Sequence, residues 1–301
     1  MDNMWSYMKT HGDQDWESFP TYFDIFIPMV LETLESLDQK ITFFIVGQDA
    51  ALEKNKKYIS LISKNNHEVG NHSFSHEPWL HLYEKNRISD ELIKTNHEIE
   101  EVTGIKPIGF RGPGFSWSND LLEALCDLEF LYDASSLPTY LGPLARAYYF
   151  WKSDLSKEEK EKRKKLFGSF RDGFKKSRPH CINLPSGRRM LEIPVTTMPI
   201  LKVPFHLSYL LYISNYSKSI MMLYLKTAIA LCKMFDTGIS FLLHPLDLLG
   251  GDKVSSLKFF PGMNIASDDK IKIFREVLSE LKRHFNIFPM NKYAKIILNQ
   301  Q

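Results

Sequence analysis

Apolar residues recur along this chain in two rhythms, and the rhythms alternate. From Asp24 to Gln39, Ile25, Ile27, Val30, Leu31, Leu34 and Leu37 form one stripe at helical spacing, which predicts an amphipathic helix. Ile41 to Gly47 is an almost unbroken β-branched and aromatic run closed by glycine, the pattern of a strand covered on both faces. A helix is predicted from about Ala50 to Ser63, then a short strand end at Glu68 to Asn71. Ser89 reads as the N-cap of a helix that carries Asp90 and Glu91 in its first turn and ends at Gly104. Pro107 to Gly114 reads as a strand running into a Gly/Pro turn. Ser118 caps a helix with Leu121, Leu122, Leu125 and Leu128, and Phe130 to Asp133 is a further short strand. Leu191 to Val195 returns to strand character, and Ser219 to Phe235 reads as a largely buried helix. Gly238 to Pro245 reads as a buried strand ending in a histidine. Ser267 caps a helix with Ile271, Phe274, Leu278, Leu281 and Phe285 on one face, whereas residues 1–22 read as loop. Strands alternating with helices predict an α/β chain built on a parallel sheet or a (β/α) barrel. No linker or internal repeat breaks the pattern, so residues 1–301 read as one domain with an insertion around 140–190.

Composition adds mainly exclusions. With 44% hydrophobic and 25% charged residues, the chain has the make-up of a globular protein with a sizeable core. A net charge of +2 predicts no nucleic-acid partner. Cys126, Cys181 and Cys232 are few and far apart, so neither a disulfide framework nor a thiolate metal site is indicated. Met1 to Trp5 shows no basic segment followed by an apolar one, and the expectation is a cytoplasmic protein. The apolar region from Val203 to Met234 is interrupted by His206, Lys218, Lys226 and Lys233, which leaves peripheral membrane contact open but not a span. The run from Lys157 to Lys165, with basic residues on to Arg178, fits a solvated helix or a basic lid for an anionic substrate or membrane.

Residues able to do chemistry gather at the carboxyl ends of the predicted strands: His72 and His76, Arg111, Asp133 and His244. His72 and His76 are spaced so that both imidazoles reach one metal ion if the backbone between them forms a helical turn or a tight loop. Gly70 permits close backbone approach before them, and Ser73 and Ser75 leave room between the rings. Alone, the pair fits an ordinary polar turn. His67 reads as a surface or supporting residue, His206 as core or pocket wall, and Asp133 equally as the cap of the next turn. His244 also fits a core histidine before a proline, and Arg111 a structural partner for a carboxylate.

Five segments taken in order carry more. They are Thr42 to Gly47, Gly70-Asn71-His72-Ser73-Phe74-Ser75-His76, Phe110-Arg111-Gly112-Pro113-Gly114, Tyr132-Asp133-Ala134-Ser135 and Leu242-Leu243-His244-Pro245. Together they resemble the polysaccharide deacetylase family, the NodB-homology carbohydrate esterases, over roughly residues 2–250. The resemblance implies a distorted (β/α) barrel and metal-dependent hydrolysis of a non-peptide amide C–N bond. The expected substrate is an amino sugar or glycoconjugate that loses an N-acetyl or N-formyl group. By resemblance, Asp2, His72 and His76 are the metal ligands, His244 is the general acid, and Arg111 orients the site through a bidentate contact. A Lewis acid suits an amide, because the carbonyl is a poor electrophile and water a poor nucleophile. Imidazole plus carboxylate suits zinc, with cobalt or iron as alternatives.

The family's first strand ends in two acidic residues, a base and a ligand. Met1-Asp2-Asn3 aligns with the second alone. The expectation is a barrel shortened at its amino end, without the first strand and the base carboxylate, and therefore less stable and weak in catalysis. Tyr22-Phe23-Asp24 has a similar composition, but Asp24 belongs to the helix, and Asp13 and Asp15 are loop carboxylates that could stand in. Two further readings are a relative that hydrolyses a cyclic amide or ureide without metal, and a carbohydrate- or lipid-carrier-binding protein without turnover. Bound metal separates the first from the leading reading, and acyl release separates the second.

Overall fold

A computed structural model of the chain describes residues 1–143 and 170–300. The charge run Lys157 to Lys165 and most of the expected insertion lie outside these residues.

Six strands form one hydrogen-bonded sheet: β1 (Thr42–Ile45), β2 (Glu68–Asn71), β3 (Gly109–Phe110), β4 (Tyr132–Asp133), β5 (His180–Asn183) and β6 (Arg189–Glu192), in the order β1-β2-β3-β4-β6-β5. β1, β2, β3, β4 and β6 pair in parallel, and β5 folds back antiparallel on β6 as an edge. The helices are α1 (Met4–His11), α2 (Phe23–Ser36), α3 (Gly47–Ala51), α4 (Glu53–Lys64), α5 (Lys85–Thr103), α6 (Asn119–Asp127), α7 (Leu207–Ser214), α8 (Lys218–Met234), α9 (Ser267–Lys282) and α10 (Met290–Leu298). None of the described helices is long and apolar enough to cross a membrane.

The expected α/β alternation is present, and local chemistry explains most boundaries. Ser118 accepts the Leu121 N–H and caps α6, and Gly104 ends α5 in the left-handed region. Gly70 lies where an added Cβ would meet the Phe44 ring at 2.6 Å, so β1 and β2 approach closely because that position carries no side chain. The largest apolar cluster packs α2, α4, α7, α8 and α9 with β1, and a second joins α5 and α6 to β3 and β6.

Several expectations are corrected. Residues 4–11 are helical rather than loop, because Asn3 accepts the Met4 N–H and Gly12 closes the helix in the left-handed region. Ser89 lies inside α5, whose N-cap is Glu84. Ser267 begins α9 but donates its hydroxyl to Asp252, and the N-cap is Ala266. β5, α7 and α10 are additional elements. Gly238 to Leu243 is extended but forms no strand. Its one flank is held at Thr196, where the Thr196 N–H donates to Ser240 O at 3.1 Å, and no strand is paired to its other flank.

Candidate metal centre and the facing histidine

His72 and His76 leave the end of β2 on a tight loop, not a helical turn. Ser73 and His76 both have positive φ, 59° and 51°. The loop is held from within and from α5. Asn71 Oδ1 accepts the Ser73 N–H at 2.9 Å, and its amide nitrogen donates to Asn96 at 2.8 Å. Glu91 accepts the Phe74 and Ser75 N–H groups at 2.9 and 2.8 Å and the Ser75 hydroxyl at 2.7 Å. Glu91 was legible only as a first-turn acid; its grip on the loop is a tertiary contact.

Asp2 reaches the same point from the amino end. Asn3 Nδ2 and Trp5 Nε1 both donate to Asp49 Oδ1, at 2.7 and 2.9 Å, and Tyr22 donates its hydroxyl to Asp2 O at 2.5 Å. Burial pushes the Asp49 carboxyl up to about 6 against the pull of these donors. No pattern in the sequence marks Asp49 as the anchor of this segment.

The three expected ligands converge. Asp2 Oδ1 lies 3.3 Å from His72 Nε2 and 3.2 Å from His76 Nε2, and the donor atoms all fall within 4.8 Å of one another. His72 Nδ1 lies 2.5 Å from Arg111 O, which can only accept. The proton is therefore on Nδ1, and the Nε2 lone pair faces the Asp2 carboxylate. Two electron-rich atoms at that distance are balanced by a proton or a cation between them. Burial, then the Met1 ammonium, holds the His72 imidazole down to about 3, which disfavours the proton. Burial would raise the Asp2 carboxyl, but His76, His72 and the Met1 ammonium hold it well below the usual carboxylate range. One neutral imidazole of fixed tautomer, a second imidazole and an ionised carboxylate are a fitting donor set for zinc, cobalt or iron.

His244 lines the same cavity, of about 760 Å³, as Asp2, His72, His76 and Arg111. Its Nδ1 lies 3.5 Å from Asp247 Oδ2, which also accepts the His244 N–H at 2.8 Å, and Ser208 donates to the other Asp247 oxygen at 2.6 Å. Burial works against the His244 cation, but Asp247 outweighs it and raises the imidazole above its ordinary value. Asp247 is the orienting carboxylate that sequence reasoning missed; its spacing of three residues after His244 was the available signal.

The remaining candidates are corrected or placed. Arg111 makes no bidentate carboxylate contact: Nε donates to Ala134 O at 3.0 Å, the guanidinium stacks 4.7 Å from the Phe44 ring, and no described carboxylate pairs with it. Burial draws it down to about 10. His67 is not a surface residue; it is buried and its Nδ1 accepts the Ile41 N–H at 3.2 Å. His206 is core rather than wall: it is buried, its ring lies 6.0 Å from that of His244, and it does not line the cavity. Asp133 accepts from Ser135 at 2.5 Å, and Ser135 accepts the Gly112 N–H, so it supports the Arg111 loop from beneath. Asp13 pairs with His11 instead of joining the ligands.

Residues 19–132 match the sequence profile of the polysaccharide deacetylases. The uncharacterised YlxY protein of Bacillus subtilis strain 168 is 34% identical over 98 residues, 33% of this chain and 30% of that protein. The peptidoglycan deacetylase of Helicobacter pylori is 30% identical over 145 residues, 48% of each. The chain thus spans from about a third to half of the length of these relatives. A Mycobacterium smegmatis protein whose crystal structure bears the polysaccharide deacetylase name shares the fold, with a TM-score of 0.56 at 16% identity, over 92% of this chain and 78% of that one. Over residues 19–132 the chain carries the sequence pattern of the polysaccharide deacetylases, on a fold shared with that neighbour.

Proposed function

We propose that this protein is a metal-dependent hydrolase of a non-peptide amide bond, removing an N-acetyl or N-formyl group from an amino sugar or its conjugate. The observation that carries the reading is the neutral His72 Nε2 turned onto the Asp2 carboxylate beside His76, in a cavity that His244 also lines. Asp2, His72 and His76 would hold the metal. When bound, it would supply Lewis acidity toward the amide carbonyl and toward water. His244, kept protonable by Asp247, delivers the proton that the departing amine needs. The Arg111 backbone fixes the His72 tautomer, and its guanidinium adds positive charge to the cavity wall.

The test is release of acetate and formate from a panel of N-acylated amino sugars with added zinc or cobalt. Release that depends on metal and is abolished in His72→Ala supports the reading. His244→Ala should lower kcat by about 10²- to 10⁴-fold while leaving bound metal unchanged. A binding protein without turnover is the second reading. One observation favours it: among the described residues, the carboxylates lining the cavity are Asp2 and Asp247, and both are engaged. Sugar binding without acyl release at any metal would decide for it.

A further inference from the structure

Seven of the fifteen large apolar side chains that stand exposed among the described residues fall between residues 200 and 234. Most of them belong to one face. On α8, Ile220, Leu223, Thr227, Ala230 and Met234 recur at helical spacing, and all five are exposed. The opposite stripe, which includes Met221, Leu225 and Ile229, packs into the core. A surface helix ordinarily puts charged side chains on its outer face, and α8 puts Ile220 and Leu223 there. Lys226 and Lys233 stand about a quarter turn to one side of the stripe. Neither forms an ion pair among the described residues, whereas Lys218 pairs with Glu276 at 2.5 Å.

A strained turn adjoins this helix. Residues 197–204 double back on themselves: the Met198 N–H donates to Val203 O at 2.9 Å, and the Lys202 N–H to Met198 O at 2.8 Å. The tip is Ile200-Leu201, and both side chains are exposed. Ile200 has a φ of 65°, where a β-branched residue is strained and where turns ordinarily place Gly, Asn or Asp. The Lys202 ammonium pins the turn by donating to Lys175 O at 2.8 Å and Ser177 Oγ at 2.7 Å. Two aliphatic side chains are thus held out in solvent at a point where local turn chemistry favours polar ones. The Tyr224 hydroxyl of α8 donates to Pro204 O at 2.7 Å, which ties the turn to the helix. Tyr212 of α7 and Tyr216 just after it are also exposed, with their hydroxyls 3.3 Å apart.

Charge decides what this face fits. From Ile193 to Phe235 the chain carries Lys202, Lys218, Lys226 and Lys233 and no Asp or Glu. A second copy of the face would bring no acid to these lysines. Thr227 and Ala230 in the middle of the stripe give a partner helix little to interlock with. An anionic lipid surface meets both demands, because phosphates take the ammonium groups, the acyl boundary takes the aliphatic side chains, and tyrosines sit between the two. We propose that the face made by turn 197–204, α7 and α8 rests on an anionic lipid bilayer. Ile200, Leu201, Ile220 and Leu223 sit below the headgroups, and Lys226 and Lys233 lie among the phosphates. No described helix is long and apolar enough to cross the membrane, so α8 lies along its surface. Tyr212 also lines the cavity, so docking sets one rim of that cavity at the lipid surface. Docking of this kind does not require that the metal centre be catalytic.

The experiment is co-sedimentation with vesicles of phosphatidylcholine alone and of phosphatidylcholine mixed equally with phosphatidylglycerol. The unaltered chain should bind the mixed vesicles at least about tenfold more tightly and lose most of that advantage at high salt. Leu201→Asp and Leu223→Asp should each lower partition onto the mixed vesicles by about tenfold or more. Lys226→Glu combined with Lys233→Glu should lower it by about ten- to 100-fold. Ile93→Asp, at an exposed position on α5 outside this face, should leave it unchanged. The thermal midpoint shows whether each variant is folded, and the comparison of the two vesicles with the unaltered chain decides even if a variant is not. Absent or equal binding to the two vesicles overturns the proposal, as does binding that Leu201→Asp and Leu223→Asp leave intact. A dimer in solution that Leu223→Asp breaks, with no vesicle binding, also overturns it, since a second copy would then cover the face.

Discussion

At the scale of single residues, the candidate metal site depends on groups outside its three proposed ligands. Glu91 gathers two backbone N–H groups and a hydroxyl from the loop that carries both histidines. Removing it leaves Phe74 and Ser75 without acceptors and frees the His76 backbone to leave its left-handed conformation. Glu91→Ala should weaken zinc binding by about 10- to 100-fold, as read by calorimetric titration. An unchanged affinity would mean that the loop holds itself. The histidine pair was suggested by its spacing and singled out by the five ordered segments around it, and Ser73 and Ser75 signalled room for a tight loop. Glu91 and Asp49 were not legible, because a side chain's partner across the fold leaves no mark at a fixed distance along the chain, whereas Asp247 had its signal in a spacing of three residues from His244.

Elements tell a similar story. β1 and β2 lie close because Gly70 presents no side chain to Phe44. Gly70→Ala should cost about 1–3 kcal/mol by overpacking, seen as a lower denaturant midpoint at constant slope, since the Phe44 ring is itself held under the Arg111 guanidinium. The helices were read within a few residues wherever a stripe of apolar side chains met a cap, as at Ser118. Segment 238–243 shows the limit of that approach. Its residues have strand character, but a strand is a pairing, and pairing requires a neighbour that the segment itself cannot provide. The first helix was missed for the opposite reason. Its aromatics look like loop composition, yet Asn3 and Gly12 cap it, and Trp5 is buried against Asp49.

Across the whole molecule, three buried histidines set the response to acid. His72, His206 and His67 are held neutral, chiefly by burial, with imidazoles lowered to about 3, 3 and 4. Their folded values lie below the unfolded value, so the unfolded chain binds more protons as pH falls. Their contribution is present in full above about pH 6.5 and is lost as pH falls toward 4. The metal-free protein should therefore lose stability steadily through that window. His67→Gln should flatten this limb by roughly 3 kcal/mol, measured by denaturant unfolding at stepwise pH, because His67 lies apart from the ligands. A limb of unchanged slope would show that His67 meets water in the native state.

The sequence by itself determined the α/β class and offered His72 and His76 as a ligand pair, whereas Asp2 and His244 entered through the resemblance of five ordered segments. The class and the pair follow from local rules: apolar period, capping residues, and ligand types at a spacing one loop can span. Tertiary structure alone decided which tautomer His72 carries, that Arg111 stacks on Phe44 rather than clasping a carboxylate, and that Glu91 holds the histidine loop. Each of those depends on what lies across the fold, and the direction of a backbone carbonyl or the partner of a side chain is set by neighbours distant in the chain.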